Sequence, residues 1–278
     1  MATTSKNPPL TNPAGRLWNL VNGAREFQNK PVQEGIAGMF GVSPKDHAGI
    51  LRSSLNFVQL VAEVERLVKC VPDIDPEKHL AWTGRVRDGF QHLSLNGHQF
   101  SNVLQTFDGS AMALLSICSD HLERFAHEPI ADQNGVRRLL DETLALISAV
   151  ANSGIDAFLR EYLLRHLQIV ADALFDFRTK GFEALWNGLS TCNGHEAAAK
   201  VRVGFDPEAV QKSEFWPRVV KVVAGLVVLV DGAQRIDYVL EKGQTIHALL
   251  TDSHLLAGVV DENSLAPDAA EGESNGAP

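Results

Sequence analysis

Cysteine is nearly absent: Cys70, Cys118 and Cys192 are the only three in 278 residues. They lie far apart without a C-x-x-C pair, which excludes a disulfide scaffold and reads as reduced, intracellular thiols. Aromatics are scarce at 7%, with two tyrosines, which argues against a β-sandwich or a carbohydrate-binding face. No apolar run reaches the roughly 20 residues of a membrane-spanning helix. The first fifteen or so residues lack the basic start and apolar centre of a secretory signal. The expectation is a cytoplasmic protein, with membrane association only through a change of conformation. Excess positive charge is missing too. The formal charge is -9, and five of the acids (Asp261, Glu262, Asp268, Glu271 and Glu273) crowd a tail without Lys or Arg. A body of mild negative charge offers duplex nucleic acid no electrostatic footprint, although a local basic groove is compatible with it.

Chemical signatures are also lacking. There is no G-x-x-x-x-G-K-[ST], no G-x-G-x-x-G, no H-E-x-x-H and no G-x-S-x-G. His127-Glu128 and His195-Glu196 each lack a second histidine. His121 and His127 are six positions apart and point in different directions from one helix, so they do not chelate together. Glu123 and His127 stand at i,i+4 and read as an ion-paired helix end. No metal, cofactor or catalytic set is expected on these grounds.

What is present is helical periodicity. From 153 to 181, Leu159, Leu163, Leu167, Val170, Leu174 and Phe177 follow at intervals of three and four, the spacing of one helix face. Ile155, Phe158, Tyr162, Ile169 and Ala173 widen that face, so the helix needs neighbours on more than one side. Glu161, Arg165, Gln168, Asp172 and Asp176 form the polar line opposite, with Glu161 and Arg165 in the favourable i,i+4 order. That line has no evident partner elsewhere in the sequence. His166 sits on the apolar face and reads as a hydrogen-bonded histidine at the edge of the core. Val136, Leu139, Leu140, Leu144, Ile147 and Val150 form the preceding helix. The Asn152-Ser153-Gly154 turn predicts an antiparallel hairpin of the two.

Helix starts recur as a cap followed by proline: Ser43-Pro44, Asp75-Pro76 and Asp206-Pro207, with acids close behind. Shorter helices are expected around Leu17–Phe27, Ile50–Val68, Leu80–Phe90, Phe100–Phe107, Ala113–Phe125 and Phe182–Leu189, with a solvated fragment from Glu196 to Lys200. The predicted fold is all-α, a multi-helix bundle built around a long central helix at about 154–180. Its expected parts are a disordered tail at 1–13, helical halves at 14–134 and 135–258 that dock tightly, and an acidic disordered tail at 259–278. Asp132-Gln133-Asn134-Gly135 marks the boundary between the halves.

Two apolar segments stand out as candidate contact surfaces. In G-I-A-G-M-F-G-V, Gly35, Gly38 and Gly41 make a poor helix interior, since each Gly costs roughly 1 kcal/mol there. The segment therefore reads as a buried loop of close backbone approach, or else as a flexible membrane-seeking or partner-seeking loop presenting Met39 and Phe40. The valine-rich run at 219–230, entered through Phe215-Trp216-Pro217, suits a strand by propensity and a helix by its flanks, and the helix is preferred. It is either a buried central helix or a docking segment presenting Phe215, Trp216, Val219, Val223, Val227 and Val230.

Arg87-Asp88-Gly89-Phe90-Gln91-His92 resembles the R-x-x-x-x-H motif of helical HEPN-type ribonucleases. The resemblance implies His92 as acid or base and Arg87 as phosphate ligand. It covers six residues, and Arg85 to His92 and Arg160 to His166 fit a looser spacing by chance. The expected function is non-enzymatic: macromolecular interaction with a protein partner or a second copy. A membrane-active effector or defence protein using 219–230, and a metal-independent ribonuclease, are the alternatives.

Overall fold

The computed structural model describes residues 8–93, 98–129, 131–200 and 206–234. The fold is all-α: twelve α-helices and no strand occur among the described residues, with one isolated bridge between Pro31 and Gln99. The acidic tail predicted at 259–278 and the end of the second predicted half lie outside them.

The first seven helices are α1 (Pro13–Ala24), α2 (Val32–Phe40), α3 (His47–Val68), α4 (Pro76–His79), α5 (Thr83–Gly89), α6 (Phe100–Leu104) and α7 (Gly109–Phe125). Their buried side chains form one apolar cluster centred on Leu17, Ile36, Phe57, Phe100, Phe107 and Leu115. The remaining five are α8 (Gln133–Ala151), α9 (Ala157–Lys180), α10 (Phe182–Lys200), α11 (Pro207–Lys212) and α12 (Trp216–Gln234). They enclose a second cluster containing Leu146, Leu163, Leu167, Leu174, Leu185 and Leu226.

Aspartate starts six of the twelve described helices. Asp46, Asp75, Asp108, Asp132, Asp156 and Asp206 each accept from backbone N–H groups of the first turn. These donors have no intrahelical acceptor, and the carboxylate also meets the positive end of the dipole. Asp46, not Ser43, caps α3, bonding the Gly49 amide at 2.9 Å. The Ser43-Pro44 start is therefore corrected: the chain turns there and the helix begins three residues later.

The expected tail at 1–13 is corrected for its described residues. Asn12 is fully buried and Thr11 nearly so, both donating to Glu123 of α7. A run of Thr, Asn and Pro carries no periodicity, but its polar side chains satisfy a carboxylate that a helix presents. The glycine-rich segment at 35–41 is likewise not a loop. It forms α2, because Gly35 and Gly38 leave room for the rings of Phe100 and Phe27 within 3 Å of where a Cβ would stand. Gly41 then ends the helix in the left-handed conformation at φ 70°, which glycine adopts without a Cβ penalty.

The contact residues offered by the sequence lie in the core. Met39, Phe40, Phe215, Val219, Val223 and Val230 are all buried, and Trp216 and Val227 are half-buried against the second cluster. The 219–230 run is helical and buries Val219, Val220, Val222, Val223 and Val230 as it packs on α8, α9 and α10, leaving Val228 as its one strongly exposed valine, so it presents no continuous apolar surface. Among the described residues, no helix is long and apolar enough to cross a membrane.

Helix α9 is 24 residues long, about 36 Å at 1.5 Å per residue, and touches α1, α3, α8, α10 and α12. Its polar line does find partners. Arg52 of α3 pairs with both Asp172 and Asp176, while Asn56 and Lys180 donate to Asp176 at 2.9 and 2.8 Å. Glu161 and Arg165, the pair expected on that line, form no ion pair with each other.

Candidate functional site

Side chains of α9 at positions 158, 161, 162, 165 and 168 share one face, as three- and four-residue spacing requires. Near its N-terminal end this face is not fully covered. Together with the end of α8 and His195 of α10 it lines a cleft of about 750 Å³. Ile147, Ala151, Phe158 and Leu164 make its apolar wall, and Arg160, Glu161, Arg165 and His195 supply its polar groups.

The two arginines are held differently. Arg160 Nη2 donates to the carbonyls of Ser153 and Ile155 at 3.0 and 2.9 Å, which fixes the turn between α8 and α9. Its Nε is buried without an acceptor. Arg165 is exposed. Neither arginine has a carboxylate partner among the described residues. A buried N–H without an acceptor costs roughly 1–3 kcal/mol.

Behind the cleft, α9 and α10 approach closely. A Cβ on Gly188 would stand 2.3 Å from the Cβ of Ala173. Two turns along each helix, His166 and His195 meet with their Nδ1 atoms 2.9 Å apart and ring centroids at 4.5 Å. Tyr162 stacks on His195 at 5.3 Å and meets the edge of His166 at 4.8 Å. His166 is wholly buried and its Nε2 has no partner. Burial, reinforced by the neighbouring His195, pushes the His166 imidazole down to about 4, against a weaker upward pull from the Tyr162 and Cys192 backbone. His166 is therefore neutral at physiological pH. An Nδ1–Nδ1 bond holds a single hydrogen, so each ring fixes the tautomer of the other. Cys192, one turn from His195, is a buried thiol pushed up to about 12 by desolvation and is not a thiolate.

Other sequence candidates are not assembled in this way. Arg87 of α5 pairs with Glu65 of α3, and α5 ends at Gly89. His92 follows on a 3₁₀ turn, its ring 5.1 Å from that of His98. The two residues of the ribonuclease-like motif are thus not displayed by one regular helix. His127 bonds Glu123 at 2.8 Å, the same carboxylate that Thr11 and Asn12 use, and His121 packs against His79. Among the described residues, no group of three or more His, Cys, Asp or Glu is arranged to hold a metal ion.

His195 was the member that sequence reasoning missed. The expected helix from Phe182 stopped at Leu189, whereas α10 runs on to Lys200. Extending the stripe through Leu185, Leu189 and Cys192 brings His195 to the face opposite His166. No known protein family matches the chain, and neither a curated protein nor a solved structure gives a significant match.

Proposed function

We propose that the protein is a non-enzymatic binding protein that holds a small organic anion in the cleft between α8, α9 and α10. One observation carries this reading: two arginines without carboxylate partners among the described residues stand beside an apolar wall in one cleft of about 750 Å³. That size falls in the range of roughly 300–1,000 Å³ typical of small-molecule sites. A carboxylate, sulfonate or phosphate group supplies an acceptor for the exposed Arg165 guanidinium at the cleft. An aliphatic or aromatic body packs on Ile147, Phe158 and Leu164. Fluorescence titration with anilinonaphthalene sulfonate tests the reading. Saturable binding is expected, weakened about three- to tenfold by Arg165→Ala, the modest share of an exposed charge-assisted contact. Equal affinity in the variant sinks it.

A second reading keeps macromolecular interaction, with a protein partner or a second copy. It is favoured by Leu51 and Leu55, successive-turn residues of α3 that are each 57% exposed. Self-association that vanishes in Leu51→Ser/Leu55→Ser, measured by sedimentation equilibrium, supports it. A monomeric wild-type chain removes the self-association form.

A further inference from the structure

Resting on the self-association reading, we propose that the exposed face of α3 pairs with the α3 of a second copy, antiparallel about a two-fold axis. The helix is apolar on two opposite sides. Ile50, Phe57, Leu60 and Val64 are buried in the first cluster. On the other side Ala48, Leu51, Leu55 and Ala62 are exposed and Val58 is half-buried. A helix that is apolar all round is at home only where it is covered all round, and the described residues cover one side of α3. The five outer residues follow at intervals of three, four, three and four. That is the narrow a and d seam of a coiled coil, not the wider stripe that faces a globular core, so the partner it fits is another helix.

Self-complementarity identifies that helix as a second α3. With the two-fold axis between Leu51 and Leu55, Leu51 of each copy meets Leu55 of the other, and Ala48 meets Val58 on either side. One stripe used twice thus fills every layer, the isologous arrangement of a C2 dimer. Charge agrees with this. The positions flanking the seam hold His47, Arg52, Ser54, Gln59 and Arg66, without a carboxylate. Arg52, which the axis brings toward its own copy, is already held by Asp172 and Asp176 of α9, and Arg66 is held by Glu63. A second copy therefore meets no uncompensated like charge along the seam. Antiparallel order also sets the positive N-terminal end of each helix beside the negative end of the other. Such a seam buries on the order of 1,000 Å² in total, the low end for a specific interface, which fits a weak, reversible dimer.

Sedimentation equilibrium of the full chain is expected to show monomer and dimer exchanging with a Kd in the micromolar range. Leu51→Lys and Leu55→Glu, each checked for helicity by circular dichroism, are expected to weaken the dimer about tenfold or more, since each sets a charge against a leucine. An equal mixture of the two variants is expected to dimerise more tightly than either alone. Antiparallel order then places the new lysine against the new glutamate in one central layer and keeps leucine against leucine in the other. Parallel order leaves each charge facing a leucine even in the mixture. A mixture no tighter than its components therefore overturns the antiparallel pairing and leaves self-association through Leu51 and Leu55 standing. A dimer insensitive to both substitutions overturns the α3 face as its site. A monomeric wild-type chain brings down this inference and the self-association reading together. If the urea midpoint of that monomer falls in Leu51→Ser/Leu55→Ser, the chain's own residues are what cover the face.

Discussion

Two buried titratable residues on α9 weaken the fold on acidification in separate pH windows. His166 is lowered from an ordinary 6.5 to about 4, so the unfolded chain binds a proton that the folded chain refuses. Its contribution is complete above about 6.5 and declines as pH falls toward 4. Asp176 acts below that range. Burial alone would raise it, but hydrogen bonds from Arg52, Lys180 and Asn56 and the Arg52 charge outweigh burial and hold it below the ordinary 3.8. The stability it provides is present above 3.8 and is lost as pH drops through its folded value. Urea midpoints measured against pH are expected to fall in two stages. His166→Phe is expected to flatten the upper stage only, and a variant as steep as wild type between 6.5 and 4 excludes His166 as its source. Asp176→Ala is expected to cost about 2 kcal/mol, less than the roughly 3–5 kcal/mol of a fully buried pair because Arg52 is partly solvated. A midpoint shift under a quarter of that at pH 7 argues that the Arg52–Asp172 contact suffices.

Among the helices, close approach of α9 and α10 is what makes the histidine pair. The Ala173 backbone and Cβ are rigid, so the 2.3 Å that a Cβ on Gly188 would leave cannot be relieved by a side-chain rotation. Gly188→Ala is expected to part the helices and cost about 1–3 kcal/mol. Ala173→Gly in the same chain is expected to restore most of that, less the propensity cost of a second glycine. A double variant as unstable as Gly188→Ala alone shows that the strain lies elsewhere. Gly225 meets only the methyl ends of Leu139, so substitution there is expected to be milder.

The same contrast explains how far the sequence was legible. Wide apolar periodicity over 153–181, the Asn152-Ser153-Gly154 turn and the Asp-Pro starts at 75 and 206 act locally, and the structure has helices at each. Gly35 and Gly38 read as breaks because their role depends on rings from elsewhere in the fold. Ending the helix from Phe182 at Leu189 cut α10 short and hid His195. Arg52 and Asp176, 124 positions apart, share no local signal at all. His166 was legible as a core-edge histidine, whereas its partner and the cleft beside it were not.

At the scale of the whole molecule, α9 joins two apolar clusters that share few other features. The junction is largely polar. Arg16 of α1, itself buried, donates to the Thr179 carbonyl at 3.0 Å and to Glu128 at 2.7 Å, and Glu128 accepts from the Phe182 amide. Arg52 and Asn56 of α3 hold Asp172 and Asp176 in the same way. Directional contacts of this kind fail abruptly when one partner is removed, because the other is left desolvated and unpaired. The four tryptophans divide evenly, with Trp18 and Trp82 in or against the first cluster and Trp186 and Trp216 against the second. Each pair, kept alone by Trp→Phe substitution of the other two, reports one cluster. In the otherwise wild-type chain both reporters are expected to give one urea midpoint, the mark of a single cooperative transition. In Arg16→Ala/Arg52→Ala the two midpoints are expected to separate, with the unfolding slope per reporter falling as each transition exposes only part of the surface. Coincident midpoints in that variant would show that apolar contact of α9 with α1 and α3 carries the coupling, and that the polar junction sets orientation without setting cooperativity.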